Sequence, residues 1–323
     1  MGATLTRAEP LGAAEAAAAI GRVEDNLARV VHAPAATLRL CVLCLVAEGH
    51  LIVEDFPGVG KTMLAKALAR SLDVSFSRLQ FTPDLLPSDI TGVSVFNQRS
   101  GEFEFRPGPV FANVLLVDEI NRASPKTQSA LLEAMQESQV TSDGETYTLA
   151  RPFIVLATQN PIEYEGTYPL PEAQLDRFTM RVALGYPPLA EEARMLAEQT
   201  TDPPLESLTP VAGCEEILSA IEDAKAIYVE ESLGRYVVAL LRHTRSSPRV
   251  ALGASPRSGI ALLRVAKARA LAEGRDFALP DDVKAVAAPV LAHRLILAPE
   301  ARSAGATAEE LVAEAVEQTP VPV

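Results

Sequence analysis

Residues 50–72 read HLIVEDFPGVGKTMLAKALARSL and decide how the rest of the chain is interpreted. An apolar run at 51–53 precedes a glycine-containing segment at 57–62, after which leucines recur every four residues, a helical spacing. A strand, a glycine loop and a helix in this order are the setting in which a loop can wrap around phosphate groups. Gly58 and Gly60 let the backbone amides turn inward, so we expect this loop to bind a nucleotide polyphosphate.

The side chains that follow the glycines supply the charges that a bound nucleotide needs. Lys61 places a point charge near the β- and γ-phosphates, and the Thr62 hydroxyl can bind Mg²⁺. One position departs from the pattern GxxxxGK[ST], because residue 55 is aspartate where the pattern has glycine. The amide cradle comes mainly from 58–62, so the prediction stands. The residues predicted to contact the nucleotide are Pro57, Gly58, Val59, Gly60, Lys61, Thr62 and Met63.

Asp118 and Glu119 form a second motif, at the end of the apolar run NVLLVD. Such continuous runs are typical of parallel strands that are covered on both faces. At the end of the strand, Asp118 can hold Mg²⁺ together with Thr62, and Glu119 can polarise an attacking water molecule. Adjacent acids also occur by chance at solvated strand ends, but beside a phosphate loop the pair predicts hydrolysis of the nucleotide.

Composition limits the possible classes of protein. The chain has 323 residues, enough for two domains, and a net charge of −13, which argues against non-specific binding to nucleic acids or anionic membranes. Three sparse cysteines indicate a reducing compartment, and the pair Cys41 and Cys44 lies in an apolar stretch that predicts buried thiols rather than a metal or redox site. No apolar run reaches the roughly 18 residues of a membrane helix, and no signal peptide is recognisable, so we expect a cytoplasmic protein.

Two stretches with alternating polar and apolar residues predict β-hairpins inserted into the core. They lie at 94–105 and 139–150, and both have acidic tips. These hairpins could be structural or could be working loops. The segment 81–92, rich in proline and aspartate, predicts irregular structure.

The order of the patterns predicts two domains. Residues 1–185 are expected to form an α/β core with a parallel sheet flanked by helices, and residues 1–20 a frayed or helical lead-in. Beyond the break at Tyr186 only helical patterns occur, so residues 186–323 are expected to form a small all-α domain. Its predicted helices lie near 190–200, 212–226, 230–246, 256–273, 281–296 and 307–318.

The chain resembles a known family at two segments, LLVDEINRASPKTQSALLEAMQE at 115–137 and VLATQNPIEYEGTYPLPEAQLDRF at 155–178. Both look very much like the MoxR branch of the AAA+ ATPases. The resemblance runs from about residue 18 to the end and is most specific between 50 and 185. It implies a phosphate-loop core of the AAA+ type followed by a helical lid, with ATP and Mg²⁺ as cofactors.

The resemblance also implies roles for individual residues. The phosphate loop and the paired acids match the Walker A and Walker B motifs. Asn160 matches sensor 1, which orients the attacking water, and Arg177 matches the arginine finger that reaches into the neighbouring subunit. Arg257 matches sensor 2, carried by the lid and expected at the γ-phosphate of its own site. The structural alternatives are an ion pair of Arg177 with Asp176 or with a carboxylate in the interface, and a capping or solvated arginine at position 257.

The cellular role follows only from the resemblance. MoxR-type ATPases are ring-forming, most commonly hexameric, chaperone-like remodellers that act with proteins carrying von Willebrand factor A domains. One alternative is a subunit of a metal-chelatase motor. Another is a nucleic-acid motor or loader, which the acidic composition and the acidic hairpin tips disfavour.

Overall fold

The computed structural model describes residues 10–56, 58–159, 168–186, 192 and 204–321. The strands are β1 (Leu51–Glu54), β2 (Phe76–Gln80), β3 (Gly92–Asn97), β4 (Glu102–Pro107), β5 (Val114–Asp118), β6 (Gln139–Ser142), β7 (Glu145–Thr148), β8 (Ile154–Gln159), β9 (Met180–Val182), β10 (Val250–Leu252) and β11 (Ile296–Leu297). The α-helices are α1 (Ala13–Ala28), α2 (Ala35–Val46), α3 (Lys61–Ser71), α4 (Pro87–Thr91), α5 (Pro125–Glu137), α6 (Glu172–Leu175), α7 (Cys214–Ala226), α8 (Glu231–Ser246), α9 (Pro256–Ala272), α10 (Pro280–Leu291), α11 (Pro299–Ser303) and α12 (Ala308–Gln318).

Five parallel strands form the central sheet, in the order β2-β5-β8-β1-β9. The inner strands are covered on both faces, and Leu115, Leu116 and Leu156 are fully buried. On the helix that follows β1, Leu64 and Leu68 are buried as their spacing predicts. The predicted parallel α/β core is therefore confirmed.

Because all five strands run the same way, the sheet has two chemically distinct edges. We call the edge where Glu54, Asp118 and Gln159 end their strands the carboxyl edge. The opposite edge, where Leu51 and Ile154 begin theirs, is the amino edge. Loops at the carboxyl ends of parallel strands are where such sheets bind ligands.

Both predicted hairpins are present. One is formed by β3 and β4, with Phe96 opposite Phe103, and the other by β6 and β7, which turns at 143–144. The Phe105 and Tyr147 rings stack with centroids 4.0 Å apart, so the two hairpins contact each other. At the outer end of the first hairpin, Phe96 and Phe103 are exposed.

The segment 81–92 contains a helix where irregular structure was expected. Pro87 begins the five-residue helix α4, and the Asp89 carboxylate accepts a 2.8 Å hydrogen bond from the Leu86 N–H. Proline is well tolerated at the first position of a helix because its missing N–H is not needed there. The expectation was wrong because the same residues that break helices also start them.

Among the described residues beyond 204, the chain is predominantly helical. β10 and β11 form a short antiparallel pair in which Val250 lies opposite Leu297. The expected helical character of this part of the chain is confirmed apart from this pair, since strands of two or three residues leave no detectable alternation. The helix predicted near 190–200 lies outside the described residues, apart from the single position 192.

The first helix packs against the second half of the chain. It begins at Ala13, and Ala16 and Ile20 on its inner face are fully buried. The Arg22 guanidinium lies 2.5 Å from the Glu216 carboxylate on α7. One continuous apolar cluster joins this helix, the core and the later helices. The division of the chain at 185/186 stays a prediction.

The two neighbouring cysteines are buried, as expected. Cys41 and Cys44 are inaccessible, and burial raises the pKa of Cys41 to about 12 and that of Cys44 well above its usual value, so both stay protonated thiols. No cluster of three or more metal-binding side chains occurs among the described residues. In the same part of the chain, every helix is too short or too polar to cross a membrane.

Candidate active site

The phosphate loop leaves β1 at the carboxyl edge and leads directly into α3. Gly58 and Gly60 have φ angles of +85° and +96°, which favour glycine. A Cβ at either position would meet no atom within 4 Å, so glycine is needed for its backbone conformation rather than for space. Lys61 is the first residue of α3, and the amides of its first turn therefore point toward the loop. Pro57 lies outside the described residues.

Lys61 reaches back across the loop. Its ammonium group donates a 2.5 Å hydrogen bond to the Asp55 carbonyl oxygen. Partial burial lowers the pKa of Lys61, whereas the nearby charges of Asp55, Asp118 and Glu119 raise it. The loop lysine and the paired acids therefore lie in one electrostatic neighbourhood, as their motifs predict.

Asp118 ends β5 with its carboxylate almost buried. Arg78 on β2 lies 2.6 Å from one carboxylate oxygen, and the Thr158 hydroxyl on β8 donates a 3.2 Å hydrogen bond to the other. Thr62 lies in the first turn of α3 and is half-buried. A hydroxyl and a carboxylate suit Mg²⁺, which takes few protein ligands and keeps water and phosphate oxygens for the rest.

Glu119 adopts an uncommon backbone conformation. Its φ and ψ are 55° and 53°, the left-handed region that costs a non-glycine residue free energy. The Thr158 hydroxyl accepts a 2.9 Å hydrogen bond from the Glu119 N–H, and the Arg122 guanidinium lies 3.0 Å from the Glu119 carboxylate. The Thr158 hydroxyl thus contacts both residues of the motif, through the Glu119 N–H and the Asp118 carboxylate.

The sequence motifs missed three residues of this site. Arg78 and Thr158 both contact Asp118, although each is 40 positions away in the chain. A polar residue inside the apolar run of β8 was the available signal for Thr158. Asp55 was noticed only as a departure from the loop pattern. Asn160, expected to orient the attacking water, lies outside the described residues.

Arg177 and Arg257 lie together at the amino edge. They line one pocket of about 470 Å³, together with His50, which precedes β1, and Thr179, which precedes β9. Neither arginine side chain forms a hydrogen bond or ion pair within the described part of the chain. Asp176, the structural alternative for Arg177, instead forms a 2.7 Å ion pair with Arg294.

The floor of this arginine pocket includes a buried histidine. The buried His50 imidazole accepts a 3.1 Å hydrogen bond from the Val155 N–H, and burial lowers the pKa of His50 to about 4. The ring is therefore neutral, so the positive charge of the pocket comes from its arginines. Arg264 also lines it, while Arg151 is balanced by Glu48 and Glu222.

Arg257 was expected at the γ-phosphate of its own site, and its position in the structure differs from that expectation. The pocket that holds it contains none of the loop residues 58–62. The four residues of β1, at about 3.3 Å each, separate His50 in the pocket from the beginning of the phosphate loop. In this conformation Arg257 does not reach the phosphate loop of its own chain, because α9 begins on the opposite side of the sheet.

Comparisons with known proteins agree with this geometry. Residues 50–180 match the model of the "ATPase family associated with various cellular activities (AAA)", and residues 242–315 match that of an AAA lid domain. A protein from Cytophaga hutchinsonii, proposed to be an ATPase, has a crystal structure with a TM-score of 0.89 and 38% identity, covering 96% of this chain and 97% of that one.

Full-length relatives define the family more narrowly. The Bacillus subtilis protein YeaC, of unassigned function, is 49% identical over 94% of this chain and 95% of its own length. Chaperone MoxR1 of Mycobacterium tuberculosis is 40% identical over 96% of this chain and 85% of its own. Protein MoxR of Methylorubrum extorquens is 32% identical over 87% and 88%. With its phosphate loop and paired acids, this chain belongs to the MoxR family of AAA+ ATPases.

Proposed function

We propose that this ATPase is Mg²⁺-dependent and works as a closed homo-oligomeric ring, a hexamer by resemblance to its family. The observation that supports the ring is the separation of two half-sites. The phosphate loop and the acids lie at the carboxyl edge, and Arg177 and Arg257 lie at the amino edge. A head-to-tail interface would bring the amino edge of one subunit to the phosphate loop of the next.

In this proposal the residues of the composite site bind the nucleotide phosphates and Mg²⁺, activate the attacking water, or stabilise the charge that develops during the reaction. Lys61 exchanges the Asp55 carbonyl for phosphate oxygens, and Thr62 and Asp118 hold Mg²⁺, which neutralises phosphate charge when it is bound. Glu119 accepts a proton from the attacking water, and Asn160 orients that water by resemblance. Arg177 and Arg257 of the adjacent subunit stabilise the charge that develops on the transferred phosphoryl group.

The ATPase activity is proposed to drive remodelling of protein partners. One relative is named a chaperone, and the resemblance implies a partner with a von Willebrand factor A domain. The stacked hairpins offer a contact surface with the exposed pair Phe96 and Phe103 at its outer end. Acidic residues beside that pair, including Glu102 and Glu104, disfavour a nucleic-acid backbone as the client.

A mixing experiment tests the composite site. Lys61→Ala removes the phosphate half-site but keeps the arginines, whereas Arg177→Ala removes the finger but keeps the phosphate half-site. Each variant alone should be inactive. A 1:1 mixture should recover about a quarter of the wild-type rate, because one interface in four then joins an intact loop to an intact arginine.

The control measures assembly directly. Native mass spectrometry must show both variants in the same rings before the rates are compared. Mixed rings without recovered turnover would contradict an arginine acting across the interface. Turnover by an isolated wild-type monomer would contradict the ring itself.

A further inference from the structure

Asp55 is more than a departure from the loop pattern. One oxygen of its carboxylate accepts hydrogen bonds from the Leu184 and Gly185 N–H groups, at 2.6 and 2.7 Å. The other oxygen accepts a 2.9 Å hydrogen bond from the Phe56 N–H. A carboxylate with three backbone donors is held firmly, because hydrogen bonds to an ionised acceptor are about twice as strong as neutral ones.

These bonds join two segments that are far apart in the chain. Asp55 begins the phosphate loop, whereas Leu184 and Gly185 follow β9 and lead toward the second half of the molecule. Asp55 is 5% exposed, so water does not compete for its carboxylate. The aspartate therefore attaches the loop to the segment 183–186, which we call the connector.

Two further contacts strengthen the same junction. The Phe56 and Tyr186 rings stack at 5.5 Å between centroids, immediately beside the carboxylate. The Asp55 carbonyl oxygen accepts the hydrogen bond from Lys61, so one residue contacts both the connector and the phosphate-binding lysine. A glycine at position 55 would keep this carbonyl but lose all three carboxylate bonds.

We propose that Asp55 is a positioning residue that fastens the phosphate loop to the connector and thereby holds the loop in its nucleotide-binding shape. The inference rests on the proposed ATP-binding role of the loop. Holding a loop in its bound conformation raises affinity, because less ordering remains to be done when the ligand arrives.

The decisive variant is Asp55→Gly, because it restores the glycine of the general loop pattern. If the motif alone governed affinity, this variant would bind ATP as well as wild type or better. We expect the Kd for ATP, measured by calorimetry, to rise at least about tenfold. Exchange of the Leu184 and Gly185 amides, followed by hydrogen exchange, should become faster in the same variant.

Two variants serve as matched controls. Asp73→Gly makes the same substitution in an exposed turn with a φ of +52°, where glycine fits, and should bind ATP like wild type. Asp55→Asn keeps one oxygen that can accept from both connector amides. It should retain slow exchange at 184–185 and lose less affinity than Asp55→Gly, and it keeps the test decisive if the glycine variant does not fold.

Three outcomes would overturn the proposal. The first is an ATP affinity in Asp55→Gly that equals that of wild type. The second is a weakened ATP affinity in Asp55→Gly while the connector amides exchange as slowly as in wild type. The third is Asp55→Asn binding ATP as weakly as Asp55→Gly although its connector amides stay protected. If wild type itself binds no ATP, the proposed function fails instead. The exchange rates at 184–185 still report on the attachment in that case.

Discussion

The carboxyl edge of the sheet gathers acids around one lysine, whereas the amino edge gathers arginines over a neutral histidine. At the carboxyl edge Asp118 and Glu119 are each held by an arginine of the same chain, Arg78 or Arg122. At the amino edge Arg177 and Arg257 face a pocket and have no carboxylate partner among the described residues. The first edge is internally balanced and the second has excess positive charge, so we expect the second edge to meet anions from outside the chain.

The largest expected effect on kcat comes from removing Arg177, the proposed arginine finger. Arg177→Ala should lower kcat by about 10³-fold or more, the range of arginine fingers in other phosphoryl-transfer enzymes, and should leave ATP affinity nearly unchanged. Steady-state kinetics and calorimetry check the two quantities separately. The control is Arg235→Ala, an exposed arginine on α8 that pairs with Glu231. A matching loss of affinity in Arg177→Ala would place this arginine in ground-state binding instead.

At the other edge, Glu119→Gln should slow turnover by about 10²-fold or more, because the amide cannot accept a proton from water. ATP binding should persist, since Gln keeps the shape of the side chain. Single-turnover hydrolysis with ATP in excess over Kd measures the chemical step. Glu133→Gln, an exposed glutamate on α5, is the matched control. Near-normal turnover in Glu119→Gln would remove this residue as the base.

A smaller effect is expected at Thr158, which connects the two acids. Thr158→Val deletes the acceptor of the Glu119 N–H and the donor to Asp118, and should lower kcat about tenfold by leaving a partly buried N–H without this partner. Thr158→Ser keeps the hydroxyl and should restore most of the rate. If both variants behave alike, the methyl group rather than the hydroxyl is what matters.

A separate effect, on the free energy of unfolding rather than on turnover, is expected at the amino edge. The folded pKa of His50 is about 4, below the value of about 6.5 that the unfolded chain has, so the native state excludes a proton that the unfolded state binds. This contribution is fully present above pH 6.5 and is lost as the pH falls from 6.5 to 4, by about 3 kcal/mol in total. Urea unfolding at several pH values measures it. His50→Gln should show a shallower loss, and an unchanged pH dependence would contradict the assignment.

Local patterns were sufficient for the motifs. Lys61 comes directly after Gly60 in the sequence, so the motif is visible without any structure. The spacing of leucines along α3 matches the buried face of that helix. The hairpins were found because alternation and a glycine turn are short-range signals. The two-residue strand β11 and the helix α4 were missed, since the first is too short to alternate and the second begins with a residue that also breaks helices.

Contacts between strands were not accessible in the same way. Arg78 reaches Asp118 because β2 and β5 are neighbours in the sheet, with Gln80 opposite Asp118. Nothing in a single sequence states which strands are adjacent. The carboxylate of Asp55 was likewise interpretable only once the amides beyond β9 were seen beside it.

The sequence by itself determined that a phosphate loop and a pair of acids exist, because each is a run of adjacent residues whose chemistry is local. Only the tertiary structure decided where the arginines lie relative to them. Because all five strands run in the same direction, the residues that precede them lie at the edge away from Lys61, and Arg177 and Arg257 share a pocket with those residues. The tertiary structure also gives the Asp55 carboxylate its hydrogen-bond partners. Those partners come from the packing of distant segments, so the position of Asp55 in the loop pattern does not reveal them.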